Sequence, residues 1–306
     1  MARDYAIYDV FTDRALTGNP LAVVFDGEGL SDEAMQKIAA EFNLSETVFV
    51  LPADQSAHSA KLRIFTPARE LPFAGHPTVG AAIALAERQA GGEGADLDVM
   101  AVFEEKVGPV RCVTRLEKNG CSFAEFDLPR LSTPVRAEPD RDTVAAALGI
   151  KPQDIGFENH RISVWDAGVP FVMTPVRDLS VAASVECNAI QWEKLAPLAG
   201  GQLADAFVYC RGGIDHEAHF HARMFAPHVG IAEDPATGSA AAAFSGAVHQ
   251  FDELLDGHHA LQIEQGVEMG RPSKIHLHLE VDEGKITQGR IGGNAVKAAE
   301  GVLLGV

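Results

Sequence analysis

No stretch of the 306-residue chain approaches the roughly 18 consecutive apolar residues of a membrane-spanning helix. The first residues, MARDYAIYDVF, contain no apolar core of a secretory signal. Both absences set the expectation of a cytoplasmic protein with no membrane partner. Basic residues are scarce: 25 Lys and Arg against 43 Asp and Glu give a formal net charge of −18. Such a chain lacks the basic face by which proteins hold nucleic acid or anionic lipid. A small anionic ligand remains admissible, because the field inside a pocket is local.

The four cysteines, Cys112, Cys121, Cys187 and Cys210, show no CxxC spacing. Cys112 and Cys121 flank a hairpin turn expected at Asn119-Gly120. Reduced, semi-buried thiols suit a cytoplasmic chain better than a disulfide or metal pair there. Gly91-Gly92-Glu93-Gly94 follows a helical stretch and precedes no strand–helix unit, so it reads as a loop and not as a nucleotide cradle. His216, His219 and His221 could ligate a metal, but no carboxylate or third ligand has a convincing spacing. They read as a solvated strand face. No motif for a metal or an organic cofactor is found.

What the sequence does have is one signature written twice. Arg63-Ile-Phe-Thr-Pro67 is followed by Gly75-His76-Pro77-Thr78-Val79-Gly80-Ala81-Ala82. About half a chain later, Arg223-Met-Phe-Ala-Pro227 is followed by Glu233-Asp234-Pro235-Ala236-Thr237-Gly238-Ser239-Ala240. His76 and Asp234 each precede a proline and each has a glycine four residues on. The separation is far longer than the roughly 20–50 residues of a solenoid repeat, and the chain is longer than one core usually spans. A duplicated domain of about 150 residues fits both facts.

Patterning gives an α+β fold. Strands are expected at Ala6–Phe11, Leu21–Phe25, Thr47–Leu51, Lys61–Phe65, Val110–Arg115, Ser122–Leu128, Ala206–Cys210, His219–Phe225 and Lys274–Val281. Thr17-Gly18-Asn19-Pro20 reads as a turn. Ser31 caps a helix over 32–42, with Asp32 and Glu33 at its positive end. Pro77 suits the first helical position of a helix ending near Gly91. Asp234 is expected to cap a helix running ATGSAAAAFSGAV, whose small, uncharged residues on every side require burial all round. Each half therefore reads as a curled, mostly antiparallel, barrel-like sheet around one central helix, the two halves related as a pseudo-twofold duplication. The polar, proline-rich PRLSTPVRAEP at 129–139 is the boundary.

Three residues carry chemistry. Glu46 stands at the mouth of an apolar strand, and His76 and Asp234 stand at helix starts. Taken singly, each is an ordinary cap or loop residue; the symmetric pair of motifs makes them a site. If the domains pack face to face, the three meet in one dry cleft. Burial there raises a carboxyl pKa toward neutrality, where the group can both take and give a proton. Unpaired N–H groups at the helix starts would bind a substrate carboxylate.

The motifs DVFTDRALTGNPLAVVF, NLSETVFVL, RIFTPARELPFAGHPTVGAA, EDPATGSAAAAF, EQGVEMGRPSKI and GRIGGNAV, in that order, resemble the phenazine-biosynthesis PhzF-like family across nearly the whole chain. The resemblance implies the diaminopimelate epimerase-like fold. It implies a C-terminal strand returning to the first domain, giving domains of 1–128 with about 290–306, and 129–289. It implies a homodimer and a cofactor-independent isomerase acting on a small carboxylate. Glu46 falls on the family's catalytic glutamate, with His76 and Asp234 beside it. Asn19, Ser45, Gly75, Gly238 and Ser239 fall on substrate-binding positions. Epimerases of this architecture use two cysteines at the helix starts; Ala74 and Ala236 stand in those neighbourhoods here, which argues against two-thiol racemisation. A racemase or epimerase based on Glu46 with a second carboxyl, and a binding protein that keeps the fold without turnover, are the rival readings.

Overall fold

The apolar alternation of the first half folds as strands around one helix. A computed structural model describes residues 2–91, 96–118 and 121–305. The expected Asn119-Gly120 turn and the loop from Gly92 to Gly94 lie outside the described residues. The chain divides into two compact units, Met1–Pro129 with Gly292–Val306, and Arg130–Ile291.

The first unit contains β1 (Arg3–Val10), β2 (Asn19–Val24), α1 (Asp32–Phe42), β3 (Glu46–Leu51), β4 (Ala60–Phe65), β5 (Glu70–Leu71), α2 (Gly75–Gln89), β6 (Leu97–Glu105), β7 (Gly108–Leu116) and β8 (Ser122–Asp127). β1 pairs antiparallel with β2, and β2 pairs parallel with β3 across the α1 crossover. β3 and β5 flank β4 antiparallel, β4 pairs parallel with β6, and β6–β7–β8 form a meander. Ser31 caps α1 by accepting the Ala34 N–H. Met35, Ile38 and Ala39 of α1 pack on Val24, Phe49 and Phe65, covering one sheet face. The opposite face receives α2, which packs on β1, β2, β3, β7 and β8. Thirteen-atom helical bonding leaves the N–H groups of its first turn without intrahelical partners, so Pro77 in that turn costs nothing.

The second unit contains β9 (Thr133–Pro134), α3 (Arg141–Leu148), β10 (Ser163–Asp166), β11 (Pro170–Pro175), α4 (Leu179–Ser184), α5 (Ala189–Leu195), β12 (Leu198–Ala199), β13 (Gln202–Leu203), β14 (Asp205–Arg211), β15 (Phe220–Ala226), β16 (Ile231–Asp234), α6 (Gly238–Asp252), β17 (Gly257–Gln265) and β18 (Ser273–Asp282). A long β19 (Lys285–Leu303) follows, and its later residues pair antiparallel with β1. The order of pairings repeats that of the first unit: β10–β11 antiparallel, β11–β14 parallel, β14–β15 and β15–β16 antiparallel, β15–β17 parallel, β17–β18 antiparallel. α6 is buried on every side from Ala240 to Val248, as its composition requires.

Three helices stand in a stretch to which the sequence patterning assigns no helix. α3, α4 and α5 are capped by Asp140, Asp178 and Asn188. Their apolar residues, with Trp192 fully buried, cover the outer face of β11 and β14. The expected cap of α6 is also corrected: Asp234 ends β16, and Thr237 holds the cap position. Among the described residues, no helix is long and apolar enough to cross a membrane.

The repeated Arg-x-Phe-x-Pro runs have one physical role. Arg63 donates two hydrogen bonds to Glu70, at 2.8 and 2.7 Å, and its guanidinium lies over Phe65. Arg223 donates two to Glu233, at 2.8 and 2.9 Å, over Phe225. Each bidentate pair ties β4 or β15 to the segment leading to the central helix.

Gly80 explains the glycine four residues after His76. A Cβ there would lie 2.5 Å from Leu21 Cδ2 and 2.8 Å from Val10 Cγ2. Only glycine lets α2 rest this closely on β1 and β2. Gly80→Ala is expected to lower the unfolding free energy by about 1–3 kcal/mol in denaturant titrations.

Candidate active site

In the first unit, the starts of β2, β3 and α2 gather at one end of the sheet. Leu21 of β2 pairs with Glu46, the first residue of β3. Glu46 is 9% exposed. Its Oε2 lies 3.4 Å from His76 Nδ1, and His76 is 4% exposed. Burial pushes the His76 pKa down to about 3, with the Pro20 backbone pulling weakly the other way. The imidazole is therefore neutral at physiological pH, and the contact is not an ion pair. Asn19 is fully buried at the start of β2, and Ser45 is half-buried just before β3. Gly75 opens α2 behind Ala74, which supplies no side-chain cap.

In the second unit, Asp234 accepts a 2.5 Å hydrogen bond from the Thr237 hydroxyl. That bond explains why Thr237, at the cap position, makes no side-chain cap bond. The Gln265 amide donates to the Asp234 carbonyl at 2.7 Å and to Thr237 Oγ1 at 3.0 Å, and its oxygen accepts the Thr237 N–H at 3.3 Å. Gly266, at φ +77°, continues the cradle: a Cβ there would lie 2.5 Å from the carbonyl oxygens of Pro235 and Arg271. Gly238 opens α6, and Ser239 is half-buried in its first turn. Glu46 and His76 are thus brought together in one unit, and Asp234 sits in the other with Thr237 and Gln265. Reading the sequence missed those last two, although both lie inside motifs it singled out, ATGS and EQG.

His221 is also corrected. It is fully buried rather than on a solvated face. Its Nδ1 lies 2.7 Å from Glu264 and its Nε2 3.0 Å from Glu268. Burial opposes its charge, yet the hydrogen bonds and charges of the two glutamates raise its pKa to about 9. This imidazolium anchors the segment that carries Gln265. His219 instead accepts the Gln262 N–H, and His216 is exposed, so the three histidines do not converge.

Among the described residues, one cluster has the atoms to share a cation: Glu158, His160 and Asp252. Arg211 already lies there, with Nη2 2.7 Å from Glu158, 2.6 Å from Asp252 and 3.3 Å from His160. The cysteines are free thiols, and burial pushes Cys187 up to about 11 and Cys210 up to about 12. None stands at the start of α2 or α6.

A sequence profile of the family described as phenazine biosynthesis-like protein, PhzC-PhzF, matches residues 8–301. The chain belongs to this family. An uncharacterized isomerase of Mesorhizobium japonicum is 54% identical, with 98% of each chain covered. The trans-2,3-dihydro-3-hydroxyanthranilate isomerase of Pseudomonas aeruginosa is 35% identical over 97% of this chain and 98% of its own. A Bacillus anthracis PhzF-family crystal structure superposes with a TM-score of 0.87 at 26% identity, covering 99% of both chains. The assignment to the isomerase class of enzymes rests on these relatives.

His76 gives a pH signature. Between about pH 3 and 6.5 the unfolded chain binds a proton at this position and the folded chain does not. Stability is therefore lost as pH falls through that window, by up to about 1.4 kcal/mol per unit. His76→Asn removes this loss. Wild type is expected to lose stability relative to the variant on acidification below pH 6.5, measured by urea titration at several pH values.

Proposed function

We propose that the protein moves a proton between carbons of a small carboxylate, cyclic or amino-substituted, with Glu46 as the acid–base group. The observation that carries this reading is the buried Glu46 carboxyl, 3.4 Å from an imidazole that burial keeps neutral. A carboxylate beside an uncharged neighbour can take a proton from carbon, and as the acid it can return that proton. One C–H bond breaks and another forms as the double-bond electrons shift. No oxidant, reductant or cofactor enters the balance. His76 stands beside Glu46 to meet a polar group of the substrate, and the helix start at Gly75 presents N–H groups to its anion; Asp234, Ser239 and the helix start at Gly238 are the corresponding groups of the second unit. The Pseudomonas aeruginosa relative, named for isomerisation of a dihydro-hydroxyanthranilate, supports this substrate class. The recurring order of strand pairings supports descent of the two units from a duplication.

A second reading, epimerisation by Glu46 with a second carboxyl, has its candidate in Asp205, the counterpart of Glu46 in the second unit. It opens β14 opposite Phe171, as Glu46 opens β3 opposite Leu21. It is buried, with His228 Nδ1 3.2 Å from its Oδ1.

The test is proton exchange in D2O, followed by NMR with a panel of small carboxylates that includes a dihydro-hydroxyanthranilate. Wild type is expected to place deuterium at carbon, and Glu46→Gln to lose about 10²–10⁴-fold of that rate. Exchange that survives in Glu46→Gln removes Glu46 as the base. Inversion at one carbon without a double-bond shift, lost in both Glu46→Gln and Asp205→Asn, selects epimerisation. Thr237→Val, which takes the hydroxyl from Asp234, is expected to raise KM more than it lowers kcat.

A further inference from the structure

Both central helices are fastened at their starts by the last residue of the strand that follows them. In the second unit this is Gln265, whose amide donates to Thr237 Oγ1 while the Thr237 proton goes to Asp234. In the first unit it is Glu105, whose Oε1 lies 2.8 Å from Thr78 Oγ1. Strand register makes the two positions equivalent. β4 sets Ala60 against Phe103 and Lys61 against Glu104, and β15 sets Phe220 against Ile263 and His221 against Glu264. The preceding residues match as well. Glu104 accepts the N–H groups of Asp54 and Gln55, and Glu264 accepts those of Ile214 and Asp215. Glu105 thus occupies the place of a glutamine.

Counting protons tells what state it is in. Thr78 Oγ1 also lies 2.8 Å from the Ala74 carbonyl, four residues back, which can only accept. A threonine hydroxyl owns one proton, and in a helix it commonly goes to that carbonyl. The 2.8 Å contact to Glu105 then needs a second proton, which only the carboxyl can bring. The surroundings favour the same state. Glu105 is 8% exposed, and its Oε2 has no hydrogen-bond partner among the described residues. From β7 it faces the Cys112 thiol, itself near Asp127 of β8. From α2 it faces Thr78, two residues from the neutral His76. Lys106, next in the chain, turns its Nζ to Glu70 at 2.6 Å. Among the described residues no cation is placed to offset a charge there, and a buried uncompensated carboxylate is costly.

We propose that Glu105 is a neutral carboxylic acid at physiological pH and a positioning residue that donates to Thr78 and fixes the start of α2, and with it His76, as the amide of Gln265 fixes Thr237 and Asp234. A protonated carboxyl and a primary amide have the same shape and the same one-donor, one-acceptor face, so one can stand for the other. Burial pushes the Glu105 pKa up to about 8, in agreement. The assignment concerns a proton within the first unit and holds whatever chemistry Glu46 performs.

The test uses the full chain with carboxyl-labelled glutamate, titrated by NMR from about pH 5 to about pH 10. One glutamate resonance is expected to titrate near 8 and to be missing in Glu105→Gln. Glu105→Gln should fold and leave the His76 ring resonances in place; Glu105→Ala should shift them. Stability supplies a second readout. Between the ordinary value of 4.5 and about 8 the folded wild type holds a proton that the unfolded chain has lost. As pH rises through that window, its folding constant should fall relative to that of Glu105→Gln by up to about tenfold per unit. His221 titrates in an overlapping range but is present in both proteins, so its contribution cancels. A Glu105 resonance titrating in the ordinary carboxyl range would falsify the proposal. So would a constant ratio of folding constants across the window. If Glu105→Ala does not fold, the Glu105→Gln comparison alone decides.

Discussion

The constraint on which the rest depends is the burial of two helix starts. α2 and α6 enter their sheets with first-turn N–H groups that have no intrahelical partner, and neither is capped by a side chain from its own start. In water such ends would be solvated. Inside a sheet they must be met by something placed from elsewhere in the chain. The strand ends perform that placement. Gln265 and Glu105 hold the threonines, Arg223 and Arg63 hold the approaching segments, and Gly80 and Gly266 allow the close approach. The first-turn N–H groups are also the positions at which an anionic substrate can be bound without a counterion from the protein.

The two interior histidines show how surroundings decide charge. His76 and His221 are both buried beside carboxyl groups. His76 has Glu46 at 3.4 Å, and loss of hydration dominates. His221 has two glutamates at 2.7 and 3.0 Å, one on each ring nitrogen, and both favour the cation. The neutral ring stands beside Glu46, the group proposed for acid–base work; the charged ring stands between the two carboxylates of the segment that carries Gln265. One residue type serves both purposes because the number and distance of its partners set its pKa.

Much of this was legible in the sequence, and the omissions have physical causes. β1 to β4, β7, β8, β14, β15 and β18, α1 with its Ser31 cap and the all-round burial of α6 follow from periodicity and composition, whereas β6, β10, β11, β17 and β19 were not read. α3, α4 and α5 escaped because six to eight residues give two turns at most, too few for helical spacing to separate from a strand's. Asp234 was expected at a cap because Asp-Pro is a common helix opening. The helix starts three residues later, since Thr237 gives its proton to Asp234 rather than capping. Gln265 could not be assigned a role from its neighbours, because its partners lie some thirty residues earlier. The buried state of His221 was hidden for the same reason: its carboxylates, Glu264 at the end of β17 and Glu268 just beyond it, come more than forty residues later.

α6 has a consequence for how the chain reaches this state. A helix with no polar face gains nothing by forming in water beyond its backbone bonds, and fifteen residues are marginal for that. It packs on β10, β11 and β18, and the sheet that carries them includes β15 and β17, which pair parallel only after the chain has crossed over through the helix itself. Helix and wall must therefore condense together, through contacts far apart in sequence, which is a slow route. Until they do, the alanine-rich segment is an adhesive stretch on an incomplete domain. The small residues that bury α6 on every side are thus also the ones that leave the second unit prone to self-association until its sheet has closed.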